Sequence, residues 1–379
     1  MPRLWRGFLI LLVLISIQMR LYINRLNRVC SDASHVPRNE CFVKSIRNKL
    51  ETTHVAFLKI HKTASTTVQN IFLRFGQSRN LTFILAHDKA DLAEIDYLPN
   101  VISVNKSLTE KNIVPPPSGK HYDMLCCHVI YNRDSFDRYL PQDTFYIGLV
   151  REPIERLESA FAFFGHLKST NLSEYAKTPY LYHHYVGSMT NNRMSFAFGF
   201  PLNLFLKNNS SNVTERDKQS VKDFLVRIRS EFDLILIHER LNHSIILMKR
   251  MMNWHIRDVI YISRFSRSRH KRTFLQSEKQ SIKSYLYLDY LLYDFALKEF
   301  NRKVDRMSDD FHEEVNHFAQ LVETVSLFCH AETMMSMHIP SSKWDGYFNV
   351  TKTDCDLYKK SEIGFIREIR MRQYGRLNI

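Results

Sequence analysis

Residues Val55-Ala-Phe-Leu-Lys-Ile-His-Lys-Thr-Ala-Ser-Thr-Thr67 run directly into Val68-Gln-Asn-Ile-Phe-Leu-Arg-Phe75. An apolar run passes into a short basic, hydroxyl-rich turn and then into an apolar-periodic segment. That succession predicts a strand, a loop and a helix. A helix amino end offers unpaired N–H groups and the positive end of the dipole, and this turn adds Lys59, His61 and Lys62 with the hydroxyls of Thr63, Ser65, Thr66 and Thr67. Such a turn is suited to an oxyanion. It is not the common triphosphate loop, because G-x-x-x-x-G-K-[ST] needs two glycines and this turn has none.

A second unit of the same kind lies at Phe145-Tyr-Ile-Gly-Leu-Val-Arg-Glu-Pro-Ile-Glu-Arg-Leu-Glu-Ser-Ala-Phe-Ala-Phe-Phe164. The apolar strand ends at Arg151, and Pro153 suits a first helical position. Ser159 follows Arg151 by about two helical turns, so both can face one anion at the mouth of a sheet. Between the two units, Lys120-His-Tyr-Asp-Met-Leu-Cys-Cys-His-Val-Ile-Tyr-Asn-Arg133 reads as a short strand with His128 just past its apolar centre. Glu231-Phe-Asp-Leu-Ile-Leu-Ile-His-Glu-Arg240 reads as a further strand with an apolar helix after it, and Asp258-Val-Ile-Tyr-Ile-Ser263 as another. Ser284–Phe295 reads as one amphipathic helix continuing to about Phe300.

The Leu58–Thr67 turn resembles the loop that holds the 5′-phosphosulfate of 3′-phosphoadenosine 5′-phosphosulfate (PAPS) in Golgi carbohydrate sulfotransferases. The order His-Lys-Thr-Ala-Ser, with Asn-Ile-Phe-Leu-Arg-Phe-Gly after it, looks most like the galactose 3-O-sulfotransferases. The resemblance runs from about Thr53 to Lys303. It implies an α/β, parallel-sheet, P-loop-like sulfotransferase fold with helices on both faces, and ligands at the carboxyl ends of the strands. It further implies that Lys59, Lys62, Thr63, Ala64, Ser65, Thr66, Thr67, Arg151 and Ser159 bind PAPS, the last two at its 3′-phosphate. His128 becomes the expected base toward a sugar hydroxyl, and His61 the second candidate. The implied acceptor is a galactose-terminated glycolipid or glycan. Two departures, Leu241-Asn-His-Ser244 and Phe196-Ala-Phe-Gly199, bear on which galactoside and which hydroxyl are used.

Two other readings stand beside this one. A uronyl 2-O-sulfotransferase acting on a glycosaminoglycan keeps the chemistry, and the basic run Arg264–Arg272 in a chain of net charge +14 would suit a polyanion. A non-catalytic nucleotide- or glycan-binding protein needs only the anion sites. Nucleic acid is not an expected partner. No metal is expected either: there is no CxxC pair and no ligand set with zinc spacing, and His312-Glu-Glu-Val-Asn-His317 reads as a polar helix surface.

The domain organisation reads as a cytosolic tail (1–6), a signal-anchor helix (7–19), a lumenal stem (20–52), a catalytic domain (53–303) and a C-terminal extension packed on it (304–379). Residues 7–17 are apolar, the stretch extends to Met19, and no small-x-small cleavage site follows, which predicts an uncleaved anchor. Flanking charge leaves the orientation open. Eight N-x-[ST] sequons, at Asn80, Asn105, Asn171, Asn208, Asn209, Asn212, Asn242 and Asn349, favour a single-pass type II protein of the Golgi membrane with its catalytic part in the lumen. Six cysteines allow 15 pairings. Cys329–Cys355 is the favoured bridge, while Cys30 and Cys41 can pair within the stem or across a homodimer.

Overall fold

The computed structural model describes residues 50–375, apart from 88–97, 165–166, 168, 183–186, 202–203, 205–213, 263–272 and 332–333. The expected anchor, nearly all of the stem with Cys30 and Cys41, sequons Asn208, Asn209 and Asn212, and the basic run 264–272 lie outside the described residues. No described helix is long and apolar enough to cross a membrane. The chain divides into two units. In the first, residues 1–52 with 251–253, the Thr52 N–H donates to the Met252 carbonyl at 3.0 Å. The second, residues 53–250 with 254–379, holds the sheet and the candidate site.

Four parallel strands form the main sheet in the order β2-β1-β3-β4: β1 (Val55–Phe57), β2 (Met124–Leu125), β3 (Phe145–Val150) and β4 (Leu234–Ile237). All four fall where the apolar runs predict them. Val55 stands opposite both Met124 and Phe145, so the amino ends of β1, β2 and β3 are level, while β3 and β4 run three residues beyond the end of β1. Every residue of these strands is buried, as expected for a parallel sheet covered on its faces. Gly148 is required by packing: a Cβ there would stand 2.5 Å from the Phe198 ring.

The helices used below are, in chain order, α1 (Ser65–Ser78), α2 (Pro153–Phe163), α3 (Leu241–Met252), α4 (Ile256–Val259), α5 (Lys279–Tyr285), α6 (Tyr287–Val304), α7 (Phe311–His330), α8 (Lys352–Lys359) and α9 (Glu362–Tyr374). A separate antiparallel pair joins β5 (Ser336–Ile339) to β6 (Phe348–Thr351).

Three sequence expectations are corrected. The strand expected at Asp258–Ser263 begins instead in helix α4. Asp258 accepts the His255 N–H at the helix start and pairs with Arg79 at 2.7 Å, and these contacts outweigh the β-branched run. The helix expected from Ser284 is broken at Leu286. Asn192 inserts there, donating to the Tyr285 carbonyl at 3.1 Å and accepting the Asp289 N–H at 3.0 Å. His312 is exposed as expected, but its neighbour Glu314 is fully buried.

Glu314 sits between Lys249 (2.9 Å) and Arg250 (2.5 Å) of α3, pinning α7 to that helix. A buried carboxylate with two cations is worth little against apolar packing, but removing it strands the charge of Lys249. Glu314→Ala is therefore expected to lower unfolding free energy by about 3–5 kcal/mol. A urea titration beside the wild type measures this. The favoured bridge Cys329–Cys355 is present, joining α7 to α8. Cys126 and Cys127 are buried and free, and burial pushes the Cys127 thiol up to about 12.

Candidate active site

The loop after β1 is held by its own hydroxyls. Thr63 and Ser65 both donate to the Ile60 carbonyl, at 3.1 and 2.6 Å. Lys62 (φ 67°) and Ala64 (φ 66°) take left-handed backbone conformations without being glycine. That costs about 1–3 kcal/mol apiece, and such strain gathers at functional loops. Ala64 is the N-cap of α1, no side chain caps that helix, and its first turn carries no acidic residue. The amino end of a 14-residue helix is thus left facing the loop without a competing carboxylate of its own.

The neighbouring strands bring in the other two groups. Three residues past β2, His128 is 5% exposed, and its Nδ1 lies 2.9 Å from the Lys59 carbonyl. A carbonyl can only accept, so Nδ1 carries the proton and Nε2 keeps its lone pair. The ring stacks on His61 with centroids 3.7 Å apart. Burial, reinforced by His61 and Lys59, holds the His128 pKa well below that of an ordinary imidazole. Burial with Arg193 nearby does the same for His61. Both rings are neutral at pH 7.

On the other side, Arg151 follows β3 directly. It donates to the Lys62 carbonyl (3.3 Å) and pairs with Glu155 (3.0 Å), while its Nε is buried without a partner among the described residues. Lys62 Nζ stands 3.8 Å from the centroid of the Phe163 ring. Burial, then Arg151, lowers its pKa.

One cavity of about 550 Å³ gathers Lys59, His61, Lys62, Ala64, Ser65, Thr66, His128, Arg151 and Ser159 in its wall. Thr63 and Thr67 are absent from that wall. Thr63 is fully buried and its hydroxyl is taken by Ile60.

The sequence reading missed Glu362, at the start of α9. Its carboxylate accepts from Thr66 (2.9 Å) and from Asn100 (2.8 Å) and lies 3.1 Å from Lys59 Nζ. Lys59 is 2% exposed; burial lowers its pKa and Glu362 partly restores it. The chain therefore seats one of its own carboxylates on the loop. The uncapped helix and the unpartnered Arg151 Nε face the same cavity, so its wall is rich in groups suited to an oxyanion. No local pattern announces Glu362; only the cap Ser361 before it is legible.

Comparison with known proteins gives a consistent result. The family described as Galactose-3-O-sulfotransferase matches residues 3–340, a span that ends before Glu362. Galactose-3-O-sulfotransferase 2 of Mus musculus is 28% identical over 260 residues, covering 66% of this chain and 61% of the relative. Galactose-3-O-sulfotransferase 3 of Mus musculus is 27% identical over 265 residues, covering 66% and 57%. Galactosylceramide sulfotransferase of Homo sapiens is 26% identical over 223 residues, covering 55% and 47%. The matched region spans about 60% or less of the length of each of these relatives.

Proposed function

This chain belongs to the galactose-3-O-sulfotransferase family, and we propose that it transfers a sulfuryl group from PAPS to a sugar hydroxyl, the 3-OH of a galactose in a glycolipid or glycoprotein. In this reading the four-stranded domain is a sulfotransferase-type fold. The protein works in the Golgi membrane as a single-pass type II enzyme, and its exposed described sequons Asn80, Asn105, Asn171 and Asn349 suit a lumenal domain. The galactose acceptor rests on the names of the relatives.

One observation carries the chemistry: an anion loop and an imidazole with a free Nε2 line the same cavity. The donor supplies the sulfuryl group together with a good phosphate leaving group. The residues of the chain do the rest. Lys62 and the amino end of α1 hold the 5′-phosphate side and stabilise charge gathering there. Arg151, with its spare Nε, and Ser159 hold the 3′-phosphate. His128 Nε2 takes the proton of the acceptor hydroxyl, a task suited to a neutral imidazole. His61 supports that ring by stacking.

The test incubates the full-length chain with radiolabelled phosphosulfate donor and, separately, galactosylceramide, N-acetyllactosamine or desulfated heparan. Label on a galactoside supports the reading. Label on heparan alone moves the chain to a uronyl acceptor, and no label with intact donor binding leaves a binding protein.

Glu362 gives a separate check on the donor site. Glu362→Gln leaves buried Lys59 without its anion, so the ligand-free protein is expected to melt several degrees lower. Adenosine 3′,5′-bisphosphate then restores the missing charge, and its stabilising shift in Tm should exceed that of the wild type. Equal shifts in both proteins would remove Lys59 and Glu362 from the donor site.

A further inference from the structure

The amino ends of the same strands carry a cluster that plays no part in the site above. His54 precedes β1, Asp123 precedes β2, and Asp143 lies two residues before β3. Parallel pairing puts Val55 level with both Met124 and Phe145, so these residues meet at one edge, with His121 beside them. The anion loop leaves β1 from its other end.

The hydrogen bonds set His54 between two carboxylates, which raise its pKa. Asp123 Oδ2 accepts the Thr82 N–H at 2.6 Å, which fixes the carboxylate. Its Oδ1 then faces His121 Nε2 at 3.0 Å and His54 Nε2 at 3.5 Å. His54 Nδ1 lies 2.6 Å from Asp143 Oδ1, so the proton of a neutral His54 belongs on Nδ1. Its Nε2 lone pair is then aimed at a carboxylate oxygen that a second imidazole also faces. A second proton on His54 would satisfy the Asp123 contact, and so would one metal cation placed between the three atoms. One ligand atom from each of His54, His121 and Asp123 lies within 4.8 Å of the others, close enough to share an ion through bonds of about 2.0–2.2 Å after small side-chain movements.

We propose that His54, His121 and Asp123 bind a zinc ion at the amino edge of the sheet, with Asp143 orienting His54 from behind. Two imidazoles and one carboxylate are borderline ligands that suit zinc and do not suit magnesium or calcium, which require oxygen shells. The carboxylate on the far nitrogen of His54 is the usual partner of a metal-bound histidine. His121, 70% exposed, leaves an entry path from solvent, and a water completes the fourth position. The ion ties the segments entering β1 and β2. The spacing explains why the sequence reading expected no metal: His54 and His121 are far apart in the chain and only strand pairing brings them together.

The test is zinc content and affinity of the full-length chain, purified without a polyhistidine tag and dialysed against zinc. The expected result is one tightly held zinc per chain, with none retained by His121→Ala, whose exposed side chain can be removed without disturbing the fold. Asp143→Asn should weaken zinc binding by about 10–100-fold while leaving the stoichiometry intact at saturation. Cobalt substituted into the wild type should give a visible spectrum that His121→Ala lacks. Failure of the wild type to retain zinc, or equal retention by His121→Ala and by His54→Gln, overturns the proposal. Preference for calcium or magnesium over zinc would overturn it as well.

Discussion

Replacing His128 with alanine is expected to lower kcat/KM for sulfuryl transfer by about 10²–10⁴-fold, the usual yield of a positioned general base. The Lys59 carbonyl at 2.9 Å fixes the proton on Nδ1, so Nε2 is the basic atom. Burial with His61 and Lys59 nearby keeps the ring neutral well below the usual imidazole range. The pH profile of the wild-type kcat/KM should therefore stay level as pH falls past 6.5, with its acid limb displaced to lower pH than a free imidazole gives. The same shift affects stability. The folded pKa is below the unfolded one, so unfolding takes up a proton between the two values, and stability falls as pH drops below about 6.5. For His128 alone the slope is at most about 1.4 kcal/mol per pH unit. His128→Ala should lose that contribution together with the activity. A variant with wild-type kcat/KM, or one whose loss follows unfolding alone in a thermal melt, would remove His128 from the reaction.

The parts legible in the sequence were those that local chain segments decide. A basic turn between an apolar run and an apolar-periodic segment forces a strand–loop–helix, and the structure places Lys59, Lys62 and Ser65 accordingly. Arg151 and Ser159 share the cavity because a strand end and two helical turns set their positions. What stayed hidden was settled by distant residues. Val259-Ile-Tyr-Ile262 is β-branched and aromatic, yet helix α4 runs to Val259 because Arg79 and the His255 N–H hold the Asp258 carboxylate in its first turn. The helical pattern breaks at Leu286 because the Asn192 amide bridges the Tyr285 carbonyl and the Asp289 N–H, which would otherwise pair with each other. Glu362 is 296 residues from the Thr66 hydroxyl it accepts from, and no periodicity links them. Glu314 looks like one more polar helix residue until Lys249 and Arg250 are placed around it.

The two loop lysines should separate when each is changed to alanine. Lys62 is half-buried over the Phe163 ring, a contact worth about 0.5–1 kcal/mol, and no carboxylate pairs with it among the described ion pairs. Lys62→Ala should leave the melting temperature within a few degrees of wild type. In the proposed transfer it removes the cation assigned to the leaving-group side, and kcat should fall by about 10²–10³-fold, as when one preorganised charge stabiliser is deleted. Lys59 is the opposite case. It is buried, pairs with Glu362 at 3.1 Å and donates to Ser65 at 3.2 Å, so it holds the loop and the start of α9 together. Lys59→Ala leaves the Glu362 carboxylate without its cation and should cost about 3 kcal/mol of stability along with activity. Steady-state kinetics beside thermal melts distinguishes the two. Loss of kcat in Lys62→Ala at unchanged Tm places that ammonium on the charge that develops during transfer. A raised KM for the donor with kcat unchanged would instead make Lys62 a binding residue, because a group that contacts donor and transition state equally cannot alter the barrier between them.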